Sequence, residues 1–175
     1  MFVEFDSVYS SKPSTFKNIF IVMNTLDKTD LAILRAMQKN CRLTTKELAA
    51  KVNLSTTPVF ERLRRLEREG YISRYSAVLN PEKLDLGFMV FCNVKLQTMN
   101  RERVIEFTDR IRSTEGVAEC YNVGGRFDFL LKIYAPSMKR YQEFVIDTLA
   151  TIDNIASIES QFVMEGIKTS GNIPI

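Results

Sequence analysis

Four arginines fall within seven residues, Arg62, Arg64, Arg65 and Arg68, close behind a run of hydroxyls at Ser55, Thr56 and Thr57. A guanidinium is a planar fork of donors that fits phosphate oxygens or the O6 and N7 edge of guanine. Threonine can meet base edges or thymine methyls. The chemistry on offer is recognition of a polyanion. Catalysis has little to work with, because the chain contains no histidine. That removes the usual general base, the Ser-His and Cys-His nucleophile pairs and the commonest zinc ligand. No catalytic residue, metal site or cofactor is expected.

The charge is unevenly placed. The net is +3 over 175 residues, but Leu26 to Asn80 holds 11 Lys and Arg against 6 Asp and Glu, a net of +5. Pro81 to Ile175 holds 11 against 13, a net of −2, and Met1 to Thr25 is neutral. A basic first half joined to a slightly acidic second half predicts one domain facing a polyanion and another with a different task. Cys41, Cys92 and Cys120 are too few and odd in number for a disulfide framework, so three partly buried thiols in a reducing, cytoplasmic setting are expected. No apolar run reaches the ~18 residues of a membrane span. Phe16 to Val22 is too short for a secretory signal core and lacks a small-residue cleavage site.

The elements that would position the arginines follow from period. Residues 1–25 lack periodicity and read as a poorly ordered extension, with Met23 a candidate start. A first helix is predicted over Asp27 to Asn40, with Leu31, Leu34 and Met37 inward. A second starts near Thr45, capped by Thr44 with Glu47 in its first turn; Leu48, Ala49 and Val52 are its buried side. It ends at Asn53, a residue that tolerates a left-handed backbone. Ser55-Thr56-Thr57-Pro58 is helix-start chemistry for a third helix, with hydroxyls to cap and a proline in the first turn. Val59, Leu63 and Leu66 form its core stripe, and Thr57, Glu61, Arg64, Arg65 and Arg68 lie opposite. Gly70 stops it, and Tyr71 to Leu79 reads as a β-ribbon. Three helices with a tight turn before the third, then a ribbon, describe a winged helix-turn-helix. A solvated face paired at i, i+4 would produce the same charge run. The preceding helix, the Asn53 turn and the +5 charge favour DNA.

After a linker over 82–87 the period changes to that of a sheet. Phe88 to Leu96 is strand-like, with Met89 and Phe91 keeping its second face apolar. A helix over Arg103 to Ser113 follows, then strands over Val117 to Val123 and Phe127 to Tyr134 joined by Gly124-Gly125-Arg126. A helix over Met138 to Ile152 and a strand over Ile155 to Met164 complete βαββαβ, the ferredoxin-like order. The predicted class is therefore α+β: a winged helix-turn-helix over 26–81, the linker, a ferredoxin-like domain over 88–169 and a tail over 170–175. Both helices on one sheet face would leave Met89 and Phe91 on the other, which predicts a homodimer packed sheet to sheet.

The stretch "LDKTDLAILRAMQKNCRLTTKELAAKVNLSTTPVFERLRRLEREGYISRYSAVLNP" resembles the amino-terminal helix-turn-helix of the Lrp/AsnC family. The carboxyl half resembles that family's effector domain, so the likeness runs from Leu26 to about Thr169. The resemblance implies a transcriptional regulator with double-stranded DNA as partner. Its DNA segment would span Thr45 to Arg64, with recognition from Ser55 onward, at Thr56, Thr57, Phe60, Glu61, Arg62 and Arg64; Arg65 and Arg68, further along, would touch phosphates. Asn53 stands where relatives commonly carry glycine. "NVGGRFDFLLKI" looks like the family's Gly-x-Phe-Asp-x-x-Leu signature, matched by Gly125, Phe127, Asp128 and Leu131. This implies an amino-acid effector at a subunit interface near Gly124, Gly125, Arg126, Phe127 and Asp128, in dimers assembling into an octamer. Glycine amides there can receive a carboxylate and Asp128 can accept from an ammonium. Arg126 occupies a position where relatives often carry an acidic or small residue. Two other classes remain: an architectural DNA-binding protein, and an enzyme subunit built on the ferredoxin-like sheet.

Overall fold

Asp27 opens the first helix. Its carboxylate accepts from the Asp30 amide at 2.8 Å, and Asp30 returns the bond from the Asp27 amide at 3.2 Å, closing a reciprocal cap. In this computed structural model, which describes residues 26–169 and 171–175, that helix is α1, Lys28–Lys39. The extension over 1–25, with its candidate start at Met23, lies outside the described residues. The second helix, α2 (Thr45–Val52), repeats the device: Thr44 Oγ1 accepts from the Glu47 amide at 3.2 Å, and Glu47 accepts from the Thr44 amide at 2.7 Å. Asn53 caps it in the left-handed region at φ 54°, ψ 45°, as the turn requires.

The third helix, α3 (Thr56–Arg68), has Ser55 at its cap position, yet the Ser55 hydroxyl makes no capping bond. The hydroxyl cap expected there is absent; an exposed end leaves its amides to water. At the other end Gly70, at φ 79°, lets its own amide reach Glu67 O at 3.1 Å and the Tyr71 amide reach Leu66 O at 2.9 Å. The three helices close over Ile33, Leu34, Met37, Leu48, Ala49, Val59 and Leu66, with Val52 and Leu63 partly buried against them. Two details of α1 differ from expectation. Ile33 rather than Leu31 is its fully buried residue, and Asp30, charged, is buried beside it.

The ribbon expected over Tyr71 to Leu79 does not form. Tyr71 and Ile72 turn into the helical core, while Val78 and Leu79 are largely exposed and pair with nothing as strands. A ladder needs a partner edge and a face to bury, and this segment has neither. Instead Tyr75 donates from its hydroxyl to Glu67 on α3 at 2.7 Å. Of the tail, Ile175 packs against the helical core, and Gln38 of α1 exchanges two hydrogen bonds with the Ile173 backbone at 2.7 and 3.2 Å. The described residues divide into two units, 26–77 with 169 and 171–175, and Val78–Lys168.

The second unit begins with a 3-10 turn at Glu82–Leu84, initiated by the Asn80 side chain accepting from the Glu82 amide. Then come β1 (Phe88–Leu96), α4 (Arg101–Arg112), β2 (Val117–Asn122), β3 (Phe129–Ala135), α5 (Met138–Asp147) and β4 (Ile155–Phe162). The sheet is antiparallel throughout in the order β2-β3-β1-β4. This is the ferredoxin-like arrangement. Alternation along β1 and β3 puts Val90, Cys92, Val94, Leu96, Phe129, Leu131 and Ile133 on the helix side, where Phe107 of α4 meets Phe129 at 4.5 Å between ring centroids. The single helix expected over Met138 to Ile152 breaks at Thr148 (φ −123°, ψ −61°), and Leu149–Thr151 is a 3-10 turn. The break keeps Leu149 fully buried, so the apolar pattern continues although the helix does not. Of the cysteines, Cys92 is buried and its thiol is pushed up to about 11 by desolvation, while Cys41 and Cys120 are exposed, contrary to the expected partial burial of all three.

Candidate functional site

The arginines of α3 divide into two groups. Asp30, 1% exposed, draws in Arg62 and Arg65: Arg62 Nη1 lies 2.8 Å from Asp30 Oδ1 and 2.6 Å from Asp27 Oδ2, and Arg65 Nη2 binds Asp30 Oδ2. The bonds to Asp30 raise the Arg62 pKa further, and the Asp30 amide, followed by Arg62, lowers that of Asp27. A buried carboxylate must be paired, and the pairing fastens α3 to α1. Arg62 and Arg65, both expected at DNA, are thus held by carboxylates of α1, with their side chains 32% and 35% exposed.

Arg64 and Arg68 are free of that network. Arg64 has no carboxylate partner among the described residues; its guanidinium carbon sits 5.3 Å from the centroid of the Phe60 ring. Arg68 is exposed and 3.8 Å from Glu69. Thr57, Phe60, Glu61, Arg64 and Arg68 recur at i, i+3, i+4, i+7 and i+11, and all are exposed. They form one continuous face opposite Val59 and Leu66. Ser55 and Thr56 stand exposed at its head, and Thr45 is half-buried at the start of α2. A solvent-facing helix edge of this width, cationic and with a short turn ahead of it, has the shape and chemistry of a major-groove reader.

The hairpin residues are sorted differently. Gly124, Gly125 (φ 130°) and Arg126 are exposed at the β2–β3 connection, with Arg126 stacked 5.2 Å from the Phe127 ring centroid. Asp128 is buried. Its Oδ2 accepts from the Leu96 amide at 2.8 Å and its Oδ1 pairs with Lys95 Nζ at 2.8 Å, while its own amide donates to Val94 O at 3.0 Å. The Asp128 carboxylate, expected to accept from a bound ammonium, has these two partners and ties the hairpin to the end of β1. On the sheet face away from the helices, Met89, Phe91, Leu130 and Tyr134 are half-buried around Lys132, which pairs with Glu119 at 2.9 Å. Among the described residues no cluster of three or more His, Cys, Asp or Glu could hold a metal. No helix among them is long and apolar enough to cross a membrane.

Residues 26–73 match the family model described as winged helix-turn-helix DNA-binding, and residues 89–173 match the Lrp/AsnC ligand binding domain. The leucine-responsive regulatory protein of Klebsiella pneumoniae is 37% identical over 150 residues, covering 86% of this chain and 92% of the relative. The chain belongs to the Lrp/AsnC family. Solved members superpose closely. A transcriptional regulator of Neisseria meningitidis in complex with L-Met gives a TM-score of 0.82 at 35% identity, covering 86% of this chain and 97% of that one. An AsnC family regulator from Agrobacterium tumefaciens gives 0.81 at 33%, covering 85% and 97%. This Lrp/AsnC protein is thus a DNA-binding transcriptional regulator with a helix-turn-helix followed by a ligand-binding domain.

Asp27 and Asp30 are the site residues that sequence reasoning missed in this Lrp/AsnC chain. The only available signal was an acidic residue on the apolar face of α1, one position from the predicted stripe, with two arginines 32 and 35 residues later to answer it.

Proposed function

We propose that this regulator reads its operator with the exposed face of α3. Arg64 and Phe60 meet base edges, Thr57 and Glu61 flank them, and Arg68 positions the domain on phosphate. Ser55, Thr56 and Thr45 approach the backbone at the head of the helix. One observation carries the assignment: Asp30 engages Arg62 and Arg65 and leaves Arg64 facing solvent. The test is a titration of Arg64→Ala against a selected operator; specific affinity falls more than tenfold while far-UV circular dichroism is unchanged. Equal loss for a scrambled duplex would reassign Arg64 to phosphate.

The effector we assign is an amino acid, held near Gly124, Gly125, Arg126 and Phe127, with amides and guanidinium facing its carboxylate and Asp128 fixing the hairpin's place. The Neisseria relative was crystallised with L-Met, which makes methionine the first candidate to titrate. Two copies join through the open sheet face around Met89 and Phe91, and dimers assemble further, toward an octamer. A ligand acts in such an assembly only if it binds one arrangement better than another. The protein is not an enzyme in this reading, and its DNA partner sets its compartment, the cytoplasm where the genome lies.

A further inference from the structure

Phe60 poses a problem that the fold does not solve. It is a large apolar ring, 47% exposed, on the outward face of a helix that is otherwise polar there, and it contributes nothing to the helical core. It lies beside Arg64, one turn along, whose guanidinium is 5.3 Å from the ring centroid. Among the described residues Arg64 in turn has no carboxylate to hold it, unlike Arg62 and Arg65. A flexible arginine that must grip guanine loses rotamer freedom when it binds; an aromatic platform removes part of that loss beforehand.

We propose that Phe60 is a specificity-determining residue of the operator contact, acting twice: its face positions Arg64 on a guanine, and its edge meets the 5-methyl group of a nearby thymine. The inference rests on the reading of α3 as the groove-facing helix. Residues four apart are separated by about 6 Å along a helix axis, and base pairs by about 3.4 Å, so the two contacts fall within two base-pair steps. The recognised element is a guanine O6/N7 edge with a 5-methyl pyrimidine no more than two steps away. Apolar contact with the thymine methyl is available to a phenylalanine, and the guanine contact to an arginine.

The experiment is selection of duplexes from a randomised pool by the full chain, followed by titration of the enriched duplex with deoxyuridine replacing each thymidine in turn. Deoxyuridine pairs as thymidine does and lacks only the methyl. The expected result is one position, within two steps of an enriched guanine, at which the substitution weakens wild type about fourfold, the worth of one buried methyl. Phe60→Ala is insensitive to that substitution and prefers the guanine about two- to fivefold less than wild type does. Phe60→Tyr keeps the ring and restores both. Because Phe60 is exposed, its variants keep the wild-type melting midpoint, which separates lost readout from lost fold. A Phe60→Ala protein that keeps both the guanine preference and the uracil sensitivity overturns the inference and leaves the regulator reading intact. Enrichment of no sequence by wild type overturns both.

Discussion

Replacing Asp30 by Asn keeps the shape of the side chain and removes the charge that two arginines share. In the native domain Asp30 is 1% exposed, and it accepts from Arg62, from Arg65 and, at 3.2 Å, from the Asp27 amide. Breaking a fully buried ion pair by deleting one partner costs about 3–5 kcal/mol. Here the arginine side chains remain 32% and 35% exposed and can recover water, so the cost is reduced to about 2–3 kcal/mol. Asp27→Asn is the internal control. Asp27 is 50% exposed in its side chain, and asparagine is as good a helix cap, so its loss is below about 1 kcal/mol. Urea unfolding followed by circular dichroism of the full chain measures both. A second readout is functional: freed from Asp30, Arg62 and Arg65 can reach phosphate, and the slope of log affinity against log salt steepens by up to about two charges. An Asp30→Asn protein as stable as wild type, to within about 0.5 kcal/mol, would refute the claim that this carboxylate fastens α3 to α1.

Further outcomes follow from single contacts. Asn53→Ala removes the short polar side chain that eases a left-handed backbone at φ 54° and costs about 1 kcal/mol in thermal unfolding, whereas Asn53→Gly is neutral within a few tenths. Asp128→Ala leaves the buried Leu96 amide without its acceptor and costs about 1–3 kcal/mol, seen as faster hydrogen exchange at Leu96 and in the hairpin. The carboxyls of Asp27 and Glu47 lie below their ordinary values of 3.8 and 4.5, chiefly through the Asp30 and Thr44 amides respectively. A depressed carboxyl stabilises fully above its unfolded pKa and loses that contribution as pH falls through the folded value; the domain therefore weakens in acid below about pH 4.5, and Glu47→Gln flattens that dependence in urea titrations. Phe91→Asp, on the sheet face without helices, yields folded monomers by sedimentation, because a charge there opposes sheet-to-sheet packing.

The sequence was legible wherever structure is local. Thr44 and Glu47 three apart announce a capping box, Asn53 announces a left-handed turn, and apolar residues at every second position from Phe88 to Leu96 announce a strand with one buried face. What stayed hidden depends on distance along the chain. Asp30 reads as a charge for solvent until Arg62, 32 residues later, is brought to it. Asp128 reads as a hairpin-edge carboxylate until β3 is laid beside β1 and the Leu96 amide arrives at 2.8 Å. The β-ribbon failed for the opposite reason. Tyr71 and Ile72 have strand-forming side chains, but packing in the helical core claims them. The break at Thr148 was invisible because a 3-10 turn preserves the burial of Leu149 that the helical period had required.

The central claim is that α3 reads sequence through Arg64. Titrating the full chain against its own upstream DNA and a scrambled duplex at about 150 mM salt, where the phosphate contribution is suppressed, tests it most directly. The account expects a preference of about a thousandfold that Arg64→Ala reduces more than tenfold. Equal, weak and salt-sensitive binding to both duplexes would contradict it and describe an architectural protein instead.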